Sequence, residues 1–197
     1  MVHKRIYLLS SLICLALLPA GCEETSHPLR RGRTAANWSL KGEYKNLALN
    51  PNDVRGPAAT YPHATSNSEC RDELCYAAKN VIDGSTANRG HGPEYPSWGP
   101  DKLTDLWLKI DFGRPIEADK VVIYIRADFP HDAYWRTGTV EFSDGSKEKV
   151  SFRKTVAPQE FRFTPRRIDW LRITDLVQDE PLGWCGFTEV EVWGRQN

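Results

Sequence analysis

The chain has 197 residues, with 26 lysines and arginines against 26 aspartates and glutamates, so its formal net charge is zero. A dedicated nucleic-acid binder carries a strong basic excess, and this balance argues against that class. Once the ends are set aside, about 150 residues remain, which suits one domain with its own core.

The N-terminus carries the first signal. Lys4 and Arg5 form a basic start, and residues 6–18 are apolar but too few to span a bilayer comfortably. The stretch ends in Leu18-Pro19-Ala20-Gly21-Cys22, small residues directly before a cysteine. This resembles a bacterial lipobox. The resemblance implies a signal peptide over residues 1–21, cleavage before Cys22, and diacylglycerol and palmitate-type chains on that cysteine. Acyl chains anchor through about 0.8 kcal/mol per buried CH₂, so the chain is expected to sit on a membrane without spanning it. The expected location is the bacterial cell envelope, outside the cytoplasm. Losing Lys4 and Arg5 leaves 24 basic side chains against 26 acidic ones. Residues 22–44 are polar, hold Arg30, Arg31 and Arg33, and lack apolar periodicity, so they read as a solvated tether.

The remaining residues, 45–197, read as strands. A short helix is expected over residues 73–79, ahead of an oxygen-rich loop at residues 80–88 with Asp83-Gly84 at its centre. Leu106, Leu108, Ile110 and Phe112 alternate with Trp107, Lys109 and Asp111, the pattern of a half-buried strand. Val121, Val122, Ile123, Tyr124 and Ile125 are apolar on both faces, as in a fully buried strand. Val140 and Phe142 lead into Asp144-Gly145, with Val150 and Phe152 beyond, a hairpin signature. Short strands follow at Phe161 and Phe163, at residues 168–173, and at Val190 and Val192. Gly113, Pro115, Pro158 and Pro165 punctuate the gaps, so they are read as strand breaks. Trp107, Trp170 and Trp193 lie on strands and read as core or sheet-face residues. The sum is an all-β antiparallel sandwich, a jelly roll, with ligand sites expected in the loops at one end.

Cys14 belongs to the leader and Cys22 to the anchor, leaving Cys70, Cys75 and Cys185 in a compartment that permits disulfides. A Cys75–Cys185 bridge is favoured, because each cysteine lies shortly before one of the two segments that close the fold. Closing about a hundred residues is worth roughly 4–5 kcal/mol in the chain-entropy model. Cys70–Cys185 and the local Cys70–Cys75 ring are the alternatives.

Several pieces in order resemble the discoidin, or coagulation-factor type C, family and the related family 32 carbohydrate-binding modules. They are Asn46-Leu47-Ala48, Asn80-Val81-Ile82-Asp83-Gly84, Trp107-Leu108-Lys109-Ile110-Asp111-Phe112-Gly113, residues 120–126, and Thr188-Glu189-Val190-Glu191-Val192-Trp193-Gly194. The resemblance covers residues 45–195 and implies a galactose-binding-like jelly roll. It also implies a structural calcium ion joining the loop to the last strand. Asp83 and Glu189 would bind it through carboxylates, Asn80, Ser85 and Thr188 through backbone carbonyls, and Asn88 through its amide oxygen. Asn88 and Gly90 stand where relatives carry Thr and Trp, and Trp98 is expected to fill the tryptophan's space. Read without the resemblance, Asp83 caps its own turn and Glu189 is an exposed strand residue.

Residues 126–135 follow a strand and pack charge, imidazole and aromatic rings into one loop, while residues 91–102 form a second polar stretch. Asp179, Glu180, Trp184 and Cys185 make a third cluster. A sugar offers polar edges and a C–H face, so it needs a fork of donors beside an aromatic plane. The expected ligand contacts are His91, Trp98, Arg126, Asp128, His131 and Trp135. Competing readings put Trp135 in the core and pair Arg126 with Asp128 or Asp132. The expected function is a non-catalytic glycan-binding module; the alternative is a structural lipoprotein that docks another envelope protein. An enzyme is disfavoured. Asp128 with Asp132, or Asp179 with Glu180, are the carboxylate pairs a glycosidase would need, but no nucleophile elbow, zinc motif or phosphate loop is present.

Overall fold

The structure is a computed structural model and describes residues 42–128 and 131–196. The leader, Cys22 and the tether up to residue 41 lie outside the described residues. Among the described residues, seven strands form: β1 Lys45–Asn46, β2 His63–Ser66, β3 Leu108–Ile125, β4 Trp135–Phe142, β5 Lys147–Ser151, β6 Gln159–Gln178 and β7 Phe187–Arg195. Every pairing is antiparallel, in the order β1-β7-β3-β6-β4-β5, with β2 on β3. This is the expected all-β jelly-roll sandwich.

The strands are fewer and longer than their sequence suggests. The expected breaks at Gly113-Arg114-Pro115 and at Pro165 lie inside β3 and β6. The β3–β6 register shifts between Asp111 and Ile116, and again between Ala118 and Lys120. Both prolines fall at these irregularities, where no ladder donor is required of them. The bulges let one hydrogen-bonded path bend around a common core. The expected helix over residues 73–79 is a string of 3-10 turns instead: Cys70–Asp72, Leu74–Tyr76 and Ala78–Ile82.

The core follows the alternation. Leu108, Ile110 and Phe112 are buried between the half-exposed Lys109 and Asp111, and Val121, Val122 and Ile123 are buried on both faces. At one end, Trp98 and Trp135 stack with centroids 5.5 Å apart, and Phe187 tilts against both. Burying one such ring stabilises the fold by about 1.5–3 kcal/mol. Closure is local and polar. Asn46 Oδ1 accepts from the N–H groups of Ala48 and Val192, each at 3.0 Å, and Leu47 N donates to Val192 O at 2.7 Å. Tyr44 extends the closure, donating to Asp119 at 2.7 Å and packing on Trp193. Packed chain therefore starts before residue 45, inside the expected tether.

The disulfide expectation is corrected. Cys70, Cys75 and Cys185 are all free. Cys75 sits on a 3-10 turn with its sulfur against Glu73 Oε2 at 3.6 Å, whereas Cys185 is buried and receives Gln178 Nε2 at 3.1 Å. Each thiol is engaged by its own surroundings, and the chain ends are held by the β1–β7 pairing instead of a Cys75–Cys185 bridge. Burial pushes the Cys185 thiol up to about 12, which suppresses the thiolate that disulfide exchange needs.

Candidate functional site

Two constellations lie near one end of β3 and β7. The first is the loop at residues 80–88 against the start of β7. Glu189 pairs with Tyr124 across the sheet, and its side chain is buried. Gly84 has φ of +88°, a conformation only glycine adopts cheaply, and its N–H donates to Glu189 Oε2 at 3.2 Å. Asp83 Oδ1 accepts from Ser85 N at 2.8 Å, so Asp83 does cap its own turn. Glu189, however, is not an exposed strand residue.

The electrostatics of this corner are unbalanced. Burial, followed by the charge of Asp83, pushes the Glu189 carboxyl up to about 9. Burial also raises Asp83, partly offset by the Ser85 N–H and the Lys79 charge. Glu189 Oε1 and Thr188 Oγ1 are buried without a hydrogen-bond partner. A buried carboxyl with an unpartnered oxygen, within the field of a second carboxyl, makes a site short of positive charge, and the donor set of hard oxygens fits calcium. Asn88 uses its amide nitrogen on Ile125 O and Val156 O, at 3.2 and 3.1 Å, which leaves its oxygen as the acceptor. The Asn80 side chain is spent on Leu74 O, Ser97 O and Lys79 Nζ, so any part it plays is through its backbone.

The second constellation is a recess of about 150 Å³ lined by Cys70, Arg71, Tyr76, His91, Gly99, Arg126, His131 and Trp184. Sites that enclose a drug-sized ligand run to roughly 300–1,000 Å³, so this one suits a single small ring at its mouth. Arg126 anchors it. Arg126 N donates to Gly186 O at 2.8 Å, extending β3 past its end. Its Nε and Nη2 donate to the two oxygens of Asp132 at 2.8 and 2.9 Å, and both side chains are buried. The guanidinium lies over the Tyr76 ring, 5.8 Å from its centroid. Gly99 makes this approach feasible, because a Cβ there would meet Arg126 Nη1 at 2.8 Å and Tyr76 Cδ1 at 2.9 Å.

The rim is imidazole and indole. His91 and His131 stack with centroids 4.6 Å apart and planes 13° from parallel. His91 Nδ1 meets Asp128 Oδ2 at 2.8 Å, and His131 Nδ1 meets Asp132 Oδ1 at 3.1 Å. The half-buried Trp184 is covered by Lys102 Nζ at 4.4 Å and is bridged through its backbone to the chain around Asp132 and Ala133.

Of the six expected ligand contacts, His91, Arg126 and His131 line the recess, and Asp128 supports it through His91. Trp98 and Trp135 are corrected. They are 0% and 1% exposed and stack in the core, so neither presents a face to a ligand. Trp98 fills interior space, but the ring against the glycine at position 90 is that of Tyr95, where a Cβ would meet Cδ2 at 2.6 Å. Trp98 Nε1 donates to Ser68 O, and its backbone bridges to Phe187. Arg126 pairs with Asp132 and not with Asp128. Both oxygens of Asp132 accept from Arg126, and Asp179 Oδ1 is held by Tyr134 N, so one carboxylate of each imagined pair is engaged in structure. Tyr76, Gly99 and Cys70 escape the sequence reading, because they reach the recess from the 3-10 segment and from the turn after Trp98. The Trp98-Gly99-Pro100 run was the available signal, since an isolated glycine often marks close approach.

No family model matches the sequence, and no curated protein matches it. Solved structures do share the fold. A chitosan-binding module of a chitosanase/glucanase from Paenibacillus sp. IK-5 is 22% identical, with 76% of this chain and 99% of that one covered and a TM-score of 0.54. The lectin domain of lectinolysin, solved with Lewis B antigen, is 16% identical, covers 78% and 98%, and has a TM-score of 0.57. A family 32 carbohydrate-binding module of NanJ from C. perfringens, solved with galactose, is 16% identical, covers 66% and 91%, and has a TM-score of 0.51.

Proposed function

We propose that this chain is a non-catalytic carbohydrate-binding module, held at the bacterial cell envelope by lipid on Cys22 and stabilised by a structural calcium ion. The observation that carries the glycan reading is the recess itself. It sets polar atoms of Arg126, His91 and His131 beside the rings of Tyr76 and Trp184 within one small volume. Hydroxyls at a sugar's edge, which both donate and accept, meet these atoms, and its C–H face meets a ring. The solved structures that share the fold bind chitosan, galactose or Lewis B, which supports the same class of ligand.

Calcium would be held by the carboxylates of Asp83 and Glu189, with carbonyls of Asn80, Ser85 and Thr188 and the amide of Asn88 completing the set. It supplies a fixed positive charge that joins the loop to β7; it has no part in recognition. A second reading, docking of another envelope protein, is favoured by Leu182, which is 79% exposed beside Trp184 and His131.

A glycan array followed by calorimetry tests the main reading. Binding is expected to at least one of the galactose, fucose or amino-sugar classes. Trp184→Ala should weaken it by about tenfold, equivalent to roughly 1.4 kcal/mol for a stacked ring. Retention of one envelope protein in a pull-down, with every glycan negative, would replace this reading with the second.

A further inference from the structure

We propose that His91, Asp128 and His131 form a binding site for a divalent transition-metal ion of the zinc class, on the rim of the recess. Each residue offers one ligand atom, and the three atoms lie within 4.8 Å of one another. Two imidazole nitrogens with one carboxylate oxygen suit zinc, nickel or copper; calcium and magnesium prefer oxygen alone. The site therefore differs in chemistry from the oxygen-only corner at Asp83 and Glu189.

The outer contacts point the same way. Each ring is tied at Nδ1 by a carboxylate, His91 by Asp128 and His131 by Asp132. A neutral imidazole that donates from Nδ1 keeps its lone pair on Nε2, so His131, held at Nδ1 by Asp132, has Nε2 free for a metal. Asp132 is a firm support, being fully buried and locked to Arg126 through both oxygens. Asp128 would exchange its hydrogen bond to His91 for the ion, because a carboxylate held on Nδ1 of a ring cannot also reach an ion on that ring's Nε2. Stacked imidazoles on an open rim gain little from packing. Their side chains are 41% and 50% exposed, and Asp128 is 32% exposed.

Zinc–nitrogen bonds of about 2.0–2.1 Å place tetrahedral ligands roughly 3.3 Å apart. The three groups must close by on the order of 1.5 Å, a rotamer-scale movement that exposed side chains can make. Three protein ligands leave a fourth position open. Because His91 and His131 line the recess, that position faces whatever occupies it. A hydroxyl-bearing ligand could then complete the coordination.

Metal titration of the full chain in the absence of sugar tests this inference separately from the glycan reading. Cobalt(II) serves as the spectroscopic probe and zinc as its competitor. One equivalent is expected to bind, with His91→Ala or His131→Ala each weakening it at least tenfold. Asp128→Asn, which replaces a direct carboxylate ligand by a neutral amide, should weaken it at least tenfold. Asp83→Asn, in the other corner, should leave it unchanged. Melting temperatures of the histidine variants establish that they are folded. The inference is overturned by undiminished binding in both histidine variants, by a thiolate-to-cobalt charge-transfer band, or by no binding at all.

Discussion

Asp132→Ala should cost about 3–5 kcal/mol of folding stability, the loss typical of breaking one side of a buried ion pair. The reason is the burial of its partner. Arg126 is 4% exposed, and its guanidinium finds its charge balance in Asp132. Removing the carboxylate leaves a buried cation over the Tyr76 ring without the carboxylate that balances it. Asp132 also receives Asp128 N, at 3.4 Å, and His131 Nδ1, so the loop around it loses its anchor in the same step. For a domain of this size the cost corresponds to a fall of about 6–20 °C in melting temperature. Chemical denaturation of both chains measures it. Replacing both partners, as in Arg126→Met with Asp132→Leu, should recover much of the loss, because an apolar pair of similar volume need not be desolvated. That double variant should still fail to bind glycan, since the recess loses the Arg126 guanidinium from its lining and the Asp132 carboxylate that holds His131. A loss under about 1 kcal/mol for Asp132→Ala would mean that the pair is solvated and the recess is not preorganised.

The same pair shows what a sequence can and cannot disclose. That Arg126 would meet an aspartate was legible from the charge in residues 126–135. Which aspartate was not, because the choice depends on a bend that gives Asp132 N to Asp128 O at 2.8 Å and turns Asp132 inward. The hairpin around Asp144-Gly145 was fully legible. Its glycine has φ of +85°, Phe142 N reaches Ser146 O, and β4 and β5 pair on either side. Turn chemistry of this kind is local. The fate of Trp98 and Trp135 is not. Trp98 sits among polar and turn residues and Trp135 at the junction of a charged loop with β4, and an aromatic so placed reads equally as a sugar platform or a core plug. Only the register that brings Trp98 against Phe187 decides it. The recess was legible only through His91, Arg126 and His131, since its lining comes from stretches as far apart as Cys70 and Trp184.

The corner at Asp83 and Glu189 was legible as chemistry, and its energetics yield the remaining large effect. In the folded chain the Glu189 carboxyl is pushed up to about 9 from an ordinary 4.5. The folded state therefore holds a proton that the unfolded state releases near pH 4.5. Its contribution is fully present below that pH and is lost as pH rises through about 9, and the raised Asp83 adds in the same direction. Without calcium, the melting temperature is expected to fall between pH 6 and pH 9, and Glu189→Gln should flatten that slope. A calcium ion bound as proposed would replace the proton, so its affinity should rise over the same interval. At a hundred times its dissociation constant, a ligand specific to the folded state adds about 2.7 kcal/mol. That is a gain of roughly 5–10 °C near pH 8, shrinking toward pH 5. Asp83→Ala should abolish the gain while leaving the glycan recess intact, because the two constellations share no side chain. Thermal melts with calcium and with a chelator, across pH and for both variants, decide the matter. Identical curves with and without calcium at pH 8 would reduce the corner to a protonated Glu189 hydrogen-bonded to Gly84, a clasp that needs no ion.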